Sequence, residues 1–257
     1  VSATESLQAL ASGKAAAACL TLDEVLRARG QGIPLTVILV VDESAGADAL
    51  YVQADIRSLE GLEGKRIGVE DSAVGAILLN KVLEVAGLTE SSIIQVPVPG
   101  DKQLAAWQQG RLDAVITYEP IATKLEAEGA VRLFDTRSAP DLIIDVLAVN
   151  TEVVSAHGHG DQLRRLLEGY FRALKHFTSN PQDAAYRMAG RLNLTGEEAL
   201  MAFRGLELPD RHENRGILRN REALFETATR LNRILVGKGQ LQTADDLSGL
   251  ATVDYLP

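Results

Sequence analysis

Apolar and polar positions change their period along this chain. Short apolar runs at 15–20, 35–41, 49–52, 67–69, 93–96, 112–117, 131–134 and 145–150 predict strands. Between them, apolar residues recur every three to four positions and predict helices over 4–12, 22–30, 73–86, 101–109 and 119–128. Glycines close several of these helices, Gly30 with Gly32, Gly87 and Gly129 among them. The segment 42–48 is small, polar and glycine-containing and predicts a loop. Strands alternating with helices argue for mostly parallel sheets. Past residue 151 the pattern turns helical. Leu163, Leu166, Leu167, Tyr170, Leu174 and Phe177 stripe 161–178, and further helices are predicted over 181–190, 195–204, 220–237 and 243–250.

One stretch occurs twice. Leu7 to Lys14 is an apolar helical turn ending in Gly13 and a basic residue, followed by the strand at 15–20 and the polar step Thr21-Leu22-Asp23. Leu104 to Arg111 repeats the turn with Gly110, followed by the strand at 112–117 and the step Tyr118-Glu119-Pro120. Each turn reads as a helix C-cap with a cation at the negative end of the dipole. The repeat predicts two α/β lobes built alike, with lobe 1 formed by 1–48 and 146–257 and lobe 2 by 49–145. In open α/β sheets ligands bind beyond the carboxyl ends of the strands, which is where both polar steps fall. A small-molecule cleft between the lobes is the expectation.

Composition narrows the function classes. Formal net charge is −9, and the 26 basic residues are scattered without a stripe, which argues against a nucleic-acid partner. No apolar run approaches the roughly 20 residues needed to span a bilayer. A single cysteine, Cys19, excludes an internal disulfide and four-cysteine zinc sites, and its place in an apolar run predicts a small buried hydrophobe. No cofactor or metal is expected. His157-Gly158-His159 lacks an acidic or cysteine partner at useful spacing and reads as a surface loop. Trp107 reads as core and His176 as part of an exposed stripe. No nucleophile elbow, phosphate-binding loop or zinc-protease motif is present, and the chain is expected not to be an enzyme. It opens at Val1 without Met, as expected of a processed or trimmed protein.

Five stretches carry a family resemblance: Ser12-Gly13-Lys14 through Glu24; Asp42 to Ala49; Leu62 to Glu70; Asp113 to Pro120; and Asp145 to Val149. Together, in order and over most of the chain, they resemble the substrate-binding proteins of ABC importers for nitrate, sulfonates, taurine and thiamin pyrimidine precursors. The resemblance implies a type II periplasmic-binding-protein fold. Each lobe is then a mostly parallel sheet flanked by helices, and two crossing strands join the lobes, which close on a small ligand. It implies a permease and ATPase as partners, a monomer, and a place in the periplasm or tethered to the outer face of a membrane. The family's chain opens with a strand and a ligand-contacting loop ahead of the helix at 4–12. That part of the site is expected to lie outside these residues. Two alternatives share the architecture: a ligand-sensing domain of a signalling protein, and an enzyme like the yeast-type thiamin pyrimidine synthase, whose cysteine-rich motif is absent here.

Candidate ligand-binding residues sit at the predicted strand ends. Ser72 opens a helix after a strand, where free N–H groups hold either a plain cap or a ligand head group. In the 42–48 segment Asp42, Ser44, Ala45 and Asp48 offer hydrogen-bonding groups and close backbone approach. Thr21, Asp23, Tyr118 and Glu119 occupy the two polar steps, where the acids also favour helix N-termini. Glu70, with Asp71 beside it, and Asp145 complete the set. These candidates are acidic, and almost no Arg or Lys lies near them in the sequence. That balance predicts a ligand of amine, amidine or aminopyrimidine character over a bare oxyanion. His212-Glu213-Asn214-Arg215 reads as a polar knot between helices, solvated, on the cleft rim or in lobe packing.

Overall fold

The computed structural model describes residues 3–70, 73–140 and 142–257. In chain order the elements are α1 (Ala3–Ala11), β1 (Ala17–Thr21), α2 (Leu22–Gly30), β2 (Leu35–Ser44), β3 (Ala49–Val52), β4 (Arg66–Val69), α3 (Ala73–Ala86), β5 (Ile94–Pro97), α4 (Gly100–Gln108), β6 (Ala114–Thr117), α5 (Ile121–Ala127), β7 (Val131–Asp135), β8 (Ile144–Asn150), α6 (Thr151–His157), α7 (Gly160–Ser179), α8 (Pro181–Leu192), α9 (Gly196–Met201), β9 (Leu206–Glu207), α10 (Arg211–Arg219) and α11 (Arg221–Gly237). They fall into two compact units. Unit 1 holds residues 1–43, 143–181 and 207–257, and unit 2 holds 44–142 and 182–206. The segment 182–206 clusters with unit 2.

Unit 1 is built on a sheet of order β1-β8-β2-β9. β8 runs antiparallel to both β1 and β2, so those two point the same way with an inverted strand between them. The run from Leu35 to Val40 is buried throughout, as expected of a strand covered on both faces. Leu22, Val25 and Leu26 of α2 and Leu231 and Leu235 of α11 join this core. On its second edge β2 is met by more than a strand. Val37 exchanges backbone hydrogen bonds with Leu250 and Thr252. Asn214, fully buried in α10, accepts from Val40 N at 2.7 Å and donates to Val40 O at 3.0 Å.

Unit 2 has the sheet order β5-β4-β6-β3-β7. β4 pairs in parallel with β5 and β6, while β3 is antiparallel to β6 and β7. Four strands thus share one direction and β3 is inverted. Trp107, Val115, Leu125 and Tyr51 lie in its core. Tyr51 keeps its hydroxyl satisfied by donating to Glu126 Oε1 at 3.0 Å and accepting from Arg132 Nε at 2.9 Å.

The repeat is visible in these sheets. β1 and β6 each lie beside the inverted strand of their own sheet, β1 at the end of the order and β6 at its centre. The turns before them end alike, with Gly13 at φ +71° and Gly110 at φ +65°, the left-handed conformation that only glycine adopts at low cost. The α/β architecture stands as expected, with one refinement of strand direction. A crossing strand is inserted against the parallel run in each sheet, so every pairing along β8 is antiparallel.

Several local readings need correction. Residues 42–44 are strand, not loop, because Asp42 and Glu43 continue the ladder against Asp145 and Ile144. The segment 243–250 is not helical. Asp245 draws it into an irregular path, accepting from Leu247 N, forming a 2.8 Å ion pair with Arg29 and binding Asn232 through its backbone. The polar stretch at 212–215 is the first part of α10, capped by Asp210, which accepts from His212 N and Glu213 N. α6 was not foreseen. Asn150 starts it by accepting from Glu152 N and Val153 N, and Gly158 ends it at φ +64°. Cys19 is exposed, not buried, because β1 ends the sheet order.

Candidate functional site

In each unit the expected site residues gather at the edge of the sheet where the parallel strands end. In unit 1 this edge carries Thr21 at the end of β1, Asp42 near the end of β2 and Asp145 at the start of the inverted β8. The three are in register across adjacent strands, Thr21 opposite Asp145 and Asp145 opposite Asp42. Directly opposed residues of an antiparallel pair share a face, so the two carboxyl groups and the hydroxyl form one row. Cys19 lies two residues before Thr21 on the same face. Its thiol is pushed up, first by burial of its inner side and then by the charges of Asp145 and Asp42. Tyr170 of α7 approaches the same row. Its hydroxyl donates to Val41 O at 3.0 Å, and burial, with Asp42 and Cys19 adding to it, pushes the phenol up to about 12.

Asp23 follows in the first turn of α2. Glu24 closes that turn by accepting from Thr21 N at 3.1 Å. Asp23 itself is only 4% exposed, and its Oδ2 has no hydrogen-bond partner. Burial raises its carboxyl to about 6. The neighbouring Thr21 hydroxyl offsets part of the rise, although its geometry falls short of a hydrogen bond.

In unit 2 the corresponding edge carries Ser44, Ala45 and Asp48 before the inverted β3, Glu70 after β4, and Tyr118 with Glu119 after β6. Ser44 is committed to the turn: its Oγ lies 2.8 Å from Thr136 Oγ1 and accepts from Asp48 N at 3.1 Å. Thr136 Oγ1 also accepts from Gly46 N at 2.7 Å. Ala45 donates its N–H to Gly205 O at 2.7 Å. Gly205, at φ +80°, lies so close that a Cβ on it would stand 2.5 Å from Ala47 N. The small residues of this segment therefore serve backbone against backbone. Asp48 has its carboxyl raised by burial, against the lowering effect of Ser44.

Tyr118 and Glu70 flank Gly100, where an added Cβ would lie 3.7 Å from the Tyr118 hydroxyl and 3.8 Å from Glu70 Oε1. Burial of one side pushes the Tyr118 phenol up, and the charges of Glu70 and Asp48 push the same way. Glu119 precedes a cis Glu119–Pro120 bond and is buried; its Oε2 accepts from Thr123 N at 3.1 Å. Ser72 and Asp71 lie outside the described residues.

The expectation of few nearby cations needs amending. Arg132, Arg137 and Arg204 all belong to unit 2 and stand around these residues. Arg132 Nη1 donates to Gly46 O at 3.4 Å, Arg137 packs on Gly46, and Arg204 lies 3.7 Å from Glu119. They are matched by acids: Arg132 with Glu126 and Asp135, Arg137 with Asp135, and Arg204 with Glu126. The Arg137 guanidinium accordingly holds the Asp135 carboxyl below the usual range. Arg132 and Arg204 leave no local sequence signal of these contacts because Gly46 and Glu119 lie far from them in the chain. Gln103, Thr117 and Thr136 leave none either, because buried polar side chains on apolar elements have no periodic signal. Among the described residues no group of three or more His, Cys, Asp or Glu is arranged to hold a metal ion, and no helix is long and apolar enough to cross a membrane.

The taurine-binding periplasmic protein of Escherichia coli (strain K12) is 28% identical over 180 residues, covering 68% of this chain and 55% of that protein. The chain thus spans about half the length of that relative. The fold matches the crystal structure of the periplasmic aliphatic sulphonate binding protein SsuA from Escherichia coli, with a TM-score of 0.79 at 17% identity over 97% of this chain and 84% of that one. It also matches an enzyme, the desulfurization enzyme DszB with biphenyl-2-sulfinic acid, with a TM-score of 0.71 at 17% identity over 100% of this chain and 88% of that one. At such identities the two structures establish the type II periplasmic-binding-protein fold alone. A family profile described as NMT1/THI5 like matches residues 2–184, most of the chain, and the protein belongs to that family.

Proposed function

We propose that this chain is the solute-binding protein of an ABC importer. It captures a small polar organic molecule of the amine, aminopyrimidine or sulfonate class and delivers it to a permease and ATPase. One observation carries the reading: in each unit the polar side chains collect at the carboxyl edge of the sheet, where open α/β sheets bind ligands. Family membership and the likeness to a taurine-binding periplasmic protein support it. The ligand acts by differential affinity, stabilising the conformation it fits best. The proposal includes a monomer and an extracytoplasmic place, in the periplasm or tethered to the outer face of a membrane.

Binding without chemistry is part of this proposal, although DszB shares the fold. The one thiol, Cys19, has its pKa pushed up by burial of its inner side and by Asp145 and Asp42, the reverse of what a nucleophile needs. A thermal-shift screen tests the reading with taurine, alkanesulfonates, nitrate, aminopyrimidines, polyamines and amino acids. A true ligand at a hundred times its dissociation constant adds about 2.7 kcal/mol, a rise of roughly 5–10 °C for a chain of this size. The bound compound should be recovered unchanged by mass spectrometry. Conversion to a product would replace binding with catalysis, and a flat screen would remove the solute-binding reading.

A further inference from the structure

Unit 1 carries a cavity of about 740 Å³ between α7 and the start of α10, a volume within the range of small-molecule pockets. None of the carboxyl-edge residues described above lines it. Its apolar wall is Phe171 and Leu174 of α7 with Leu208, all half-buried. The Phe171 ring stands edge-on to Tyr170 with centroids 5.3 Å apart, and Tyr170 is tied to β2 through Val41 O. The wall is thus braced against the sheet.

The polar part of the cavity is cationic. Arg172 and Lys175, one turn apart on α7, line it together with Arg211 of α10. All three are exposed, and among the described residues none of them forms an ion pair. Two acids also line the cavity. Asp210 is spent on the helix cap, accepting from His212 N and Glu213 N, and Glu168 lies one turn ahead of Arg172. Three cations against two acids leave the cavity positive, in a chain whose net charge is −9.

We propose that this cavity binds an organic anion with an apolar body. Its carboxylate or sulfonate head pairs with Arg172, Lys175 and Arg211, and its alkyl or aryl part lies against Phe171, Leu174 and Leu208. A guanidinium meets such a head through two parallel hydrogen bonds, which gives the pairing direction as well as charge. A purely hydrophilic anion would leave the apolar wall wet, and an uncharged apolar molecule would leave the cations unmatched. This site goes beyond the solute-binding reading and does not rest on it.

Octanoate tests the proposal, titrated into the full chain at low ionic strength and followed residue by residue through amide NMR. Saturable shifts should gather at 168–178 and 208–213. Acetate has the same head and almost no body. It should bind at least about 10-fold more weakly, since each buried methylene is worth about 4-fold. Octylammonium, with a like body and the opposite charge, should give no saturable shifts there. Arg172→Glu combined with Lys175→Glu should weaken octanoate by at least about 10-fold, and added salt should weaken it in the parent chain. Arg187→Glu, on α8 and outside the cavity, should leave octanoate binding unchanged. All three substituted side chains are exposed, so the variants keep the fold. Equal binding of octanoate and octylammonium, octanoate binding that survives the double substitution, shifts confined to Thr21, Asp42 or Tyr118, or no saturable binding at all would each overturn the proposal. The solute-binding reading stands in every one of these cases.

Discussion

Asn214→Ala is expected to destabilise the protein by about 3–6 kcal/mol. The side chain is fully buried and makes three hydrogen bonds: it accepts from Val40 N, and donates to Val40 O and to Pro209 O at 2.9 Å. Truncation strands all three backbone groups away from water, at about 1–3 kcal/mol each. The loss falls where β2 can least replace it, since the pairing of β2 with β8 already shifts register between Val40 and Asp42. Asn214→Asp should cost at least as much at neutral pH, because the buried carboxylate accepts from Val40 N but faces two carbonyl oxygens to which it cannot donate. Denaturant midpoints measure both effects. A cost under about 1 kcal/mol for the alanine variant would mean that water enters and takes over the three bonds.

The second large effect is a stability that increases on mild acidification. Asp23 titrates near 6 in the fold against an ordinary 3.8. Between those values the folded state binds the extra proton, so stability grows as pH falls through 6 and is fully gained below the ordinary value. Above 6 the buried charge carries its whole penalty, about 3 kcal/mol for a shift of about two units. Asp113 and Asp135 act in the opposite sense. Arg66 and Arg137 hold their carboxyls low, so their contributions are present above about 4 and fade only in stronger acid. Maximum stability should lie near pH 5. Asp23→Asn should stabilise the protein by about 2–3 kcal/mol at pH 8 and remove the gain between pH 8 and 5, as read from unfolding midpoints across pH. An unchanged profile in the variant would assign the dependence to other groups.

Much of the architecture was legible because it rests on local chemistry. Gly13 and Gly110 announce helix ends whose left-handed φ no other residue adopts cheaply, and the apolar runs after them are the paired positions β1 and β6. What escaped was decided by partners far along the chain. Asp42 looks like a loop residue until Asp145 lies across from it. Leu247 and Leu250 look helical until Asp245 ties their segment to Arg29 and Asn232. The carboxyl-edge rule brought Thr21, Asp42 and Asp145 into one row and Tyr118 beside Glu70, as strand register alone dictates. It did not reveal which polar atoms are already spent. Ser44 and Asp48 look like ligand contacts in sequence, yet Ser44 is bound to Thr136 and to the Asp48 backbone.

The inverted strands also set an order of assembly. β1 and β2 do not pair with each other; they meet only through β8. The first sheet must therefore bring residues 17–44 together with 144–150, whereas every strand of the second lies between residues 49 and 135. On a chain made from its N-terminus, the later unit has all its strands while the earlier one still waits for its central strand. Closing the longer loop costs more entropy and slows the pairing that depends on it. In pulsed hydrogen exchange during refolding, amides of β3, β4 and β6 should gain protection before those of β1 and β2, so that the part of the chain written first is finished last.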